Sequence, residues 1–178
     1  MATRVPIVRQ ISWISLIPQL LFLGLIIFIY YKLNLREPIF FGALTFLVMP
    51  FFLRKLFSKD YRRGMKLVKK ELFSEAIPFF EKSVEYYIKN KWVDKYRCLT
   101  LLSSSKMSYK EMGLCNIAFC YSQTGDVLKA KEYYEQIINE FPNNGIALVG
   151  LRFINAVDKN KEDKANWSEQ DKNKINSR

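Results

Sequence analysis

Two uncharged apolar runs dominate the first third of the chain. Residues 10–31 contain no charged side chain, and residues 38–53 form a second uncharged run. At about 1.5 Å per residue a helix over the first run is about 33 Å long and one over the second about 24 Å, against a hydrocarbon core of about 30 Å. We therefore predict transmembrane helices at 10–31 and at 38–57, the second lengthened by Leu56 and Phe57. A re-entrant or surface-lying segment is the alternative for the second run.

The connection between the two runs, residues 32–37, is short enough to predict an antiparallel hairpin. Two basic residues lie in this loop, whereas eight lie in residues 54–70. Because basic residues stay on the cytoplasmic side of a membrane, we expect residues 1–9 and everything after the hairpin to be cytoplasmic. A bacterial plasma membrane suits this arrangement, and an organellar membrane is the alternative. A cleaved signal peptide is disfavoured, because no small-residue cleavage motif follows the first run.

After the hairpin, apolar residues recur at helical spacing and predict an all-α domain over residues 58–157. Its clearest segment runs from residue 112 to residue 142. Small, aromatic and turn residues alternate there at fixed spacing: Ala118, Tyr121, Gly125, Val127, Ala130, Tyr134, Ile137 and Pro142. This segment resembles the tetratricopeptide repeat. The resemblance implies two antiparallel helices that approach most closely at Ala118 and Ala130 and are joined by a turn at Gly125.

A weaker copy of the same pattern lies 54 residues earlier. Gly64, Phe73, Ala76 and Phe80 match positions of the clear copy, but Glu71 stands where the turn glycine is expected. We therefore predict an all-α chain in which a two-helix transmembrane hairpin precedes a short repeat domain. Its predicted parts are repeat copies at about 58–90 and 111–144, a helical insert at 91–110, a terminal helix at 145–157 and a disordered polar tail at 158–178.

The net charge of +11 is concentrated beside the predicted hairpin. Residues 71–157 carry ten basic and ten acidic side chains, so the repeat domain is close to neutral. This distribution favours contact with lipid headgroups over nucleic-acid binding. The predicted lipid-contacting residues are Arg54, Lys55, Lys59, Arg62 and Arg63.

The content of histidine and cysteine limits the chemistry open to the chain. There is no histidine and there are only three cysteines. Histidine-based metal sites and Ser-His or Cys-His nucleophile pairs are thereby excluded. We predict no catalytic residue, no metal site and no cofactor, and we do not expect an enzyme.

The resemblance also implies a groove, lined by the first helix of each repeat, that holds a peptide or helix of a partner protein. At the matching positions its candidate residues are Tyr61, Met65, Val68, Lys69, Met112, Cys115, Phe119, Ser122 and Gln123. The lysine-asparagine clamp of the chaperone-binding members is absent. The apolar character of these residues favours an apolar helix or an extended segment as the ligand. The alternative is that they pack against the insert or the terminal helix and leave no groove.

Two functions remain open from the sequence. The first is a membrane-anchored adaptor or scaffold on the cytoplasmic face that recruits a protein or peptide partner. The second is an accessory structural subunit, held in a membrane protein complex through its hairpin. Both imply contact with membrane lipid and with protein, and neither indicates an oligomeric state.

Overall fold

The structure is a computed structural model that describes residues 15–157 and Lys159. The predicted segment 1–9, the start of the first predicted span at 10–14, and the tail 158–178 apart from Lys159 lie outside the described residues. Within the described part all regular secondary structure is helical. Its helices are α1 Leu16–Lys32, α2 Pro38–Phe57, α3 Lys59–Val68, α4 Phe73–Lys89, α5 Lys91–Lys95, α6 Arg97–Thr100, α7 Tyr109–Gln123, α8 Val127–Glu140 and α9 Gly145–Val157.

Helices α1 and α2 pack against each other as a hairpin. Gly42 is buried against Ile27, and a Cβ atom at Gly42 would lie 2.7 Å from that side chain. The hydroxyls of Tyr30 and Thr45 are 3.0 Å apart and share a hydrogen bond across the pair. By length and composition α2 alone among the described helices could cross a membrane, and α1 is apolar but shorter over its described residues.

The helical hairpins α3–α4 and α7–α8 repeat one arrangement at the predicted offset. Helix α4 begins at Phe73 and α8 at Val127, which is 54 positions later. The turns before them also match, since Glu71 has a φ of 62° and Gly125 a φ of 83°. Both turns thus require a residue in the left-handed backbone conformation. Glycine adopts this conformation without strain, and in the first copy Glu71 adopts it instead. This explains why the weaker copy keeps its geometry without the glycine.

The core of the domain lies between these helices. Ala76 and Ala130 are fully buried, as the small residues of the two copies, and Phe80 and Tyr134 fill the neighbouring space. Helix α4 packs against both α3 and α7, and α9 closes the far end through Ala147 and Ile154. The buried small residues therefore set the close approach that the repeat pattern predicts.

The predicted helical insert at 91–110 is helical in its first ten residues and irregular after them. It consists of α5, α6 and an irregular segment that leads to α7 at Tyr109. Leu101 and Leu102 are buried, and Leu102 adopts a φ of 44°, which ends the helix. The side chain of Arg97 then donates hydrogen bonds to the carbonyls of Ser105 and Lys106. Burial of two leucines thus outweighs the helical periodicity of the segment.

Candidate protein-binding groove

A groove of about 440 Å³ opens between the end of α7 and α9. Its lining is almost entirely apolar, and two polar side chains from α7 lie along one wall. We call it the α7–α9 groove. Its lining residues are Phe119, Ser122, Gln123, Val127, Tyr134, Gly145, Ile146, Val149, Gly150, Phe153, Ile154 and Val157.

The α7 wall contains three of the residues that the sequence predicts for a groove, Phe119, Ser122 and Gln123. The ring of Phe119 packs edge-on against Phe73 of α4, with 5.8 Å between ring centroids. The hydroxyl of Ser122 donates to the carbonyl of Ala118 at 2.8 Å. Since Ser122 bonds within its own helix, Gln123 is the polar group on this wall that is free to face a ligand; it is exposed.

The α9 wall was not assigned to a groove from the sequence. Its side chains Ile146, Val149, Phe153 and Val157 lie three or four positions apart, which places them on one face of the helix. Val149 is 66% exposed and Phe153 is 70% exposed. This spacing is visible in the sequence, but it predicts only an apolar stripe on the terminal helix and does not tell which side chains cover that stripe.

The floor of the groove depends on the close approach of α9 to Tyr134. A Cβ atom at Gly150 would lie 2.6 Å from the Tyr134 ring, so any larger residue must displace α9 or the ring. Burial raises the pKa of the Tyr134 hydroxyl, so the ring stays uncharged beneath the groove. The floor is therefore apolar and rigidly packed.

Asn144 fixes the start of α9. Its side-chain oxygen accepts a hydrogen bond from the backbone N–H of Ala147 at 2.9 Å, which caps the helix. Its amide nitrogen donates to Glu111 of α7 at 2.8 Å. The other carboxylate oxygen of Glu111 accepts from the N–H of Ser108, whose hydroxyl in turn accepts from the N–H of Glu111. A single carboxylate therefore links the starts of α7 and α9.

The predicted groove residues of α3 do not line the α7–α9 groove. Tyr61 packs between helices, with its ring centroid 5.7 Å from those of Phe80 and Tyr109. Val68 is buried in the core, and Met65 packs against it. These side chains pack in the interface of α3 with α4 and α7.

Two predicted residues of α7 are likewise interior, and Lys69, which follows α3, is not part of the groove. Cys115 is 5% exposed and Met112 packs against the cluster around Tyr87. Burial raises the pKa of the Cys115 thiol to about 12, so it remains protonated and unreactive near neutral pH. Lys69 is exposed at the end of α3 and does not line the groove.

The predicted lipid-contacting residues divide into two groups. The guanidinium of Arg54 donates to the carbonyls of Leu101 at 3.3 Å and Leu102 at 3.1 Å, so it holds the insert against α2. The remaining four, Lys55, Lys59, Arg62 and Arg63, are exposed. Within the described residues, no three histidine, cysteine, aspartate or glutamate side chains lie together as a metal site.

Comparison with known proteins identifies one segment of the chain. Residues 113–144, which contain α7, α8 and the turn between them, match the family described as "Tetratricopeptide repeat". No curated protein and no solved structure matches the chain. Repeats of this kind are typically non-catalytic modules that bind other proteins. The chain therefore contains a tetratricopeptide repeat at residues 113–144, in agreement with the resemblance of residues 112–142.

Proposed function

We propose that the protein is a membrane-anchored adaptor whose repeat domain binds an apolar segment of another protein on the cytoplasmic face. The hairpin α1–α2 is its anchor, and the α7–α9 groove is its binding site. A bacterial plasma membrane is the proposed location. The repeat at residues 113–144 supports the protein-binding role.

The α7–α9 groove is the observation that carries the proposal. Val149 and Phe153 are largely exposed on a helix that otherwise covers the core. An exposed apolar wall opposite Phe119 and Gln123 suits an amphipathic helix or extended segment, whose apolar side chains would be removed from water on binding. The exposed amide of Gln123 can then hydrogen-bond the backbone of an extended ligand.

Three features support the anchor. Helix α2 has the length and composition of a membrane span. Its outer side chains are exposed to an extent unusual for a water-facing helix, with Leu47 at 65% and Phe51 at 73%. The exposed basic residues Lys55, Lys59 and Arg62 follow it, as expected for the cytoplasmic side.

Photocrosslinking from inside the groove tests the adaptor role. The photoreactive analogue benzoylphenylalanine replaces Phe153 in the full-length protein in its native cells. We expect a discrete protein adduct, and we expect Val149→Asp in the same chain to reduce it about tenfold or more, because an unpaired carboxylate would be buried against the ligand.

Leu128 provides the matched control position. It is 82% exposed on α8 and does not line the groove. The analogue placed there should give no adduct of the same mass. Equal adducts from both positions, or an adduct that survives Val149→Asp, would refute binding in the α7–α9 groove.

Cysteine labelling in intact cells tests the anchor and its orientation. Arg36 is exposed in the loop between α1 and α2. In a Cys98→Ala background, we expect an impermeant maleimide to label Arg36→Cys in intact cells, and to label Leu128→Cys only after permeabilisation. Failure to label Arg36→Cys before permeabilisation would contradict a hairpin that crosses the membrane with both ends inside.

An accessory structural subunit is the second candidate function. Gly24 supports it, because no atom lies within 4 Å of a Cβ built there, and so one face of α1 is open to close approach by another helix. Gly24→Leu should then release a membrane partner while the groove variants leave it bound. If the groove variants release the partner and Gly24→Leu does not, the adaptor role is favoured.

A further inference from the structure

The insert between the two repeats exposes aromatic and basic side chains together. Trp92 is 57% exposed, Tyr96 51% and Leu99 39%. Lys91 and Lys95 are also exposed. Lys91, Trp92 and Lys95 lie on the short helix α5, Tyr96 is the residue that caps its end, and Leu99 lies on α6. We call these five side chains the insert surface.

Hydrogen bonds hold the insert against the end of the α1–α2 hairpin that lies opposite its loop. The side-chain nitrogen of Gln19, in the first described turn of α1, donates to the carbonyl of Cys98 at 3.3 Å. Arg54, in the last turn of α2, donates to the carbonyls of Leu101 and Leu102. Both contacts are at the end of the hairpin opposite its loop, so the insert lies level with that end.

The length of the hairpin places this level relative to a membrane. At about 1.5 Å per residue, α1 extends about 20 Å from Gln19 to Lys32, and α2 extends about 24 Å from Pro38 to Arg54. The hydrocarbon core of a bilayer is about 30 Å thick. The part of the hairpin between the insert and the loop is therefore shorter than the hydrocarbon core. If the hairpin is inserted up to its loop, the insert lies in the headgroup region.

We propose that the insert surface is a second membrane contact, which lies in the headgroup region of the bilayer that holds the hairpin. The inference rests on the proposed insertion of the hairpin. Trp92 and Tyr96 have the amphipathic rings that occupy this region, and Leu99 adds an apolar contact. Lys91 and Lys95 are positioned to meet the phosphates of anionic lipids.

This contact gives the repeat domain a fixed orientation at the membrane. The carboxylate of Asp94 in α5 accepts the N–H groups of Tyr109 and Lys110, the first two residues of α7. The helix α5, which carries part of the insert surface, is thus hydrogen-bonded to the helix that forms one wall of the α7–α9 groove. The distance of the α7–α9 groove from the membrane, and its orientation relative to the membrane, are thereby fixed.

Depth-dependent fluorescence quenching tests the contact. The full-length protein, with Trp13→Phe and Trp167→Phe to leave Trp92 alone, is reconstituted in vesicles of phosphatidylcholine and phosphatidylglycerol. We expect Trp92 to lose more intensity with spin-labelled lipids whose label lies near the headgroup than with labels at the end of the acyl chain. We also expect Lys91→Glu with Lys95→Glu to diminish this quenching, and unchanged quenching would overturn the role of the lysines.

Two further single-tryptophan proteins, each with Trp92→Phe, separate this inference from the proposed function. Leu47→Trp reports on α2 and Leu128→Trp on α8. Leu47 is 65% exposed and lies about 10 Å from Arg54 along α2, so deep labels should quench Leu47→Trp, and no label should quench Leu128→Trp. If Leu47→Trp is quenched and Trp92 is not, the insert contact is refuted while the anchor stands. If Leu47→Trp is not quenched, the anchor fails. If Leu128→Trp is quenched as strongly as Trp92, contact specific to the insert is refuted.

Discussion

Asn144 joins three parts of the domain through one side chain. It caps α9, donates to Glu111 of α7, and lies 3.3 Å from the sulfur of Cys115. It is 4% exposed, so its hydrogen bonds are shielded from water. An amide suits this position, because it accepts on one atom and donates on the other.

Asn144→Ala should lower the free energy of unfolding by about 1–2 kcal/mol, because a helix cap is lost and Glu111 loses a buried partner. Adduct formation from benzoylphenylalanine at position 153 should fall in parallel, since α9 forms one wall of the groove. Chemical denaturation in mild detergent measures the first effect. Asn143→Ala is the control, because Asn143 is exposed in the same turn; equal losses for both variants would contradict the assignment.

At the scale of single elements, α7 depends on the insert for its first turn. Tyr109 and Lys110 donate to Asp94 at 2.8 and 3.0 Å, and the next donor, the N–H of Glu111, is satisfied by Ser108. Asp94 is 7% exposed and carries a carboxylate. It therefore accepts hydrogen bonds from N–H groups that have no partner within α7, and its negative charge lies at the positive end of that helix. The insert is thus a structural part of the second repeat.

Asp94→Ala should lower the free energy of unfolding by about 2–3 kcal/mol, because two charge-assisted hydrogen bonds are lost, one from a buried and one from a partly buried donor. Asp126→Ala is the matched control, as Asp126 caps α8 through one hydrogen bond of 3.2 Å. That variant should cost about 1 kcal/mol. Denaturation of the three proteins in the same detergent checks the order, and an Asp94→Ala loss no larger than that of Asp126→Ala would contradict the role of the insert.

At the scale of the whole molecule, the core contains several weak acids that are buried in their neutral form. Burial raises the pKa of the Cys115 and Cys120 thiols to about 12. It also raises the pKa of the Tyr61 and Tyr87 hydroxyls. Each group ionises more readily in the unfolded chain, so the stability that it contributes is present below its unfolded pKa and is lost as the pH rises toward its folded pKa.

The midpoint of chemical unfolding should therefore fall steadily as the pH is raised from about 9 to about 12, where the thiols titrate. Each group that is ionised only in the unfolded chain lowers the free energy of unfolding by about 1.4 kcal/mol per pH unit. Far-ultraviolet circular dichroism at a series of pH values measures the change. Cys115→Ala with Cys120→Ala should flatten the slope, and a midpoint independent of pH would contradict the buried thiols.

The sequence by itself determined the local structure of the clear repeat and the apolar character of the hairpin. Ala118 and Ala130 are small residues, which two helices need where they approach closely. Gly125 adopts the left-handed conformation that the turn between them requires. The apolar stripe of α9 is also local. These features follow from residue type and spacing alone, and the match at residues 113–144 agrees with them.

The tertiary structure alone decided where the groove lies. Met65 and Phe119 occupy equivalent positions of the two repeats, yet Met65 meets Asn116 of α7, with 3.6 Å between its sulfur and the amide nitrogen, whereas Phe119 lines the open α7–α9 groove. Likewise, Asp94 and Asn144 meet their partners on α7 across stretches of 15 to 33 residues. The spacing of residues along one helix defines its faces, but only the packing of the other helices decides which face is buried and which is left open to bind.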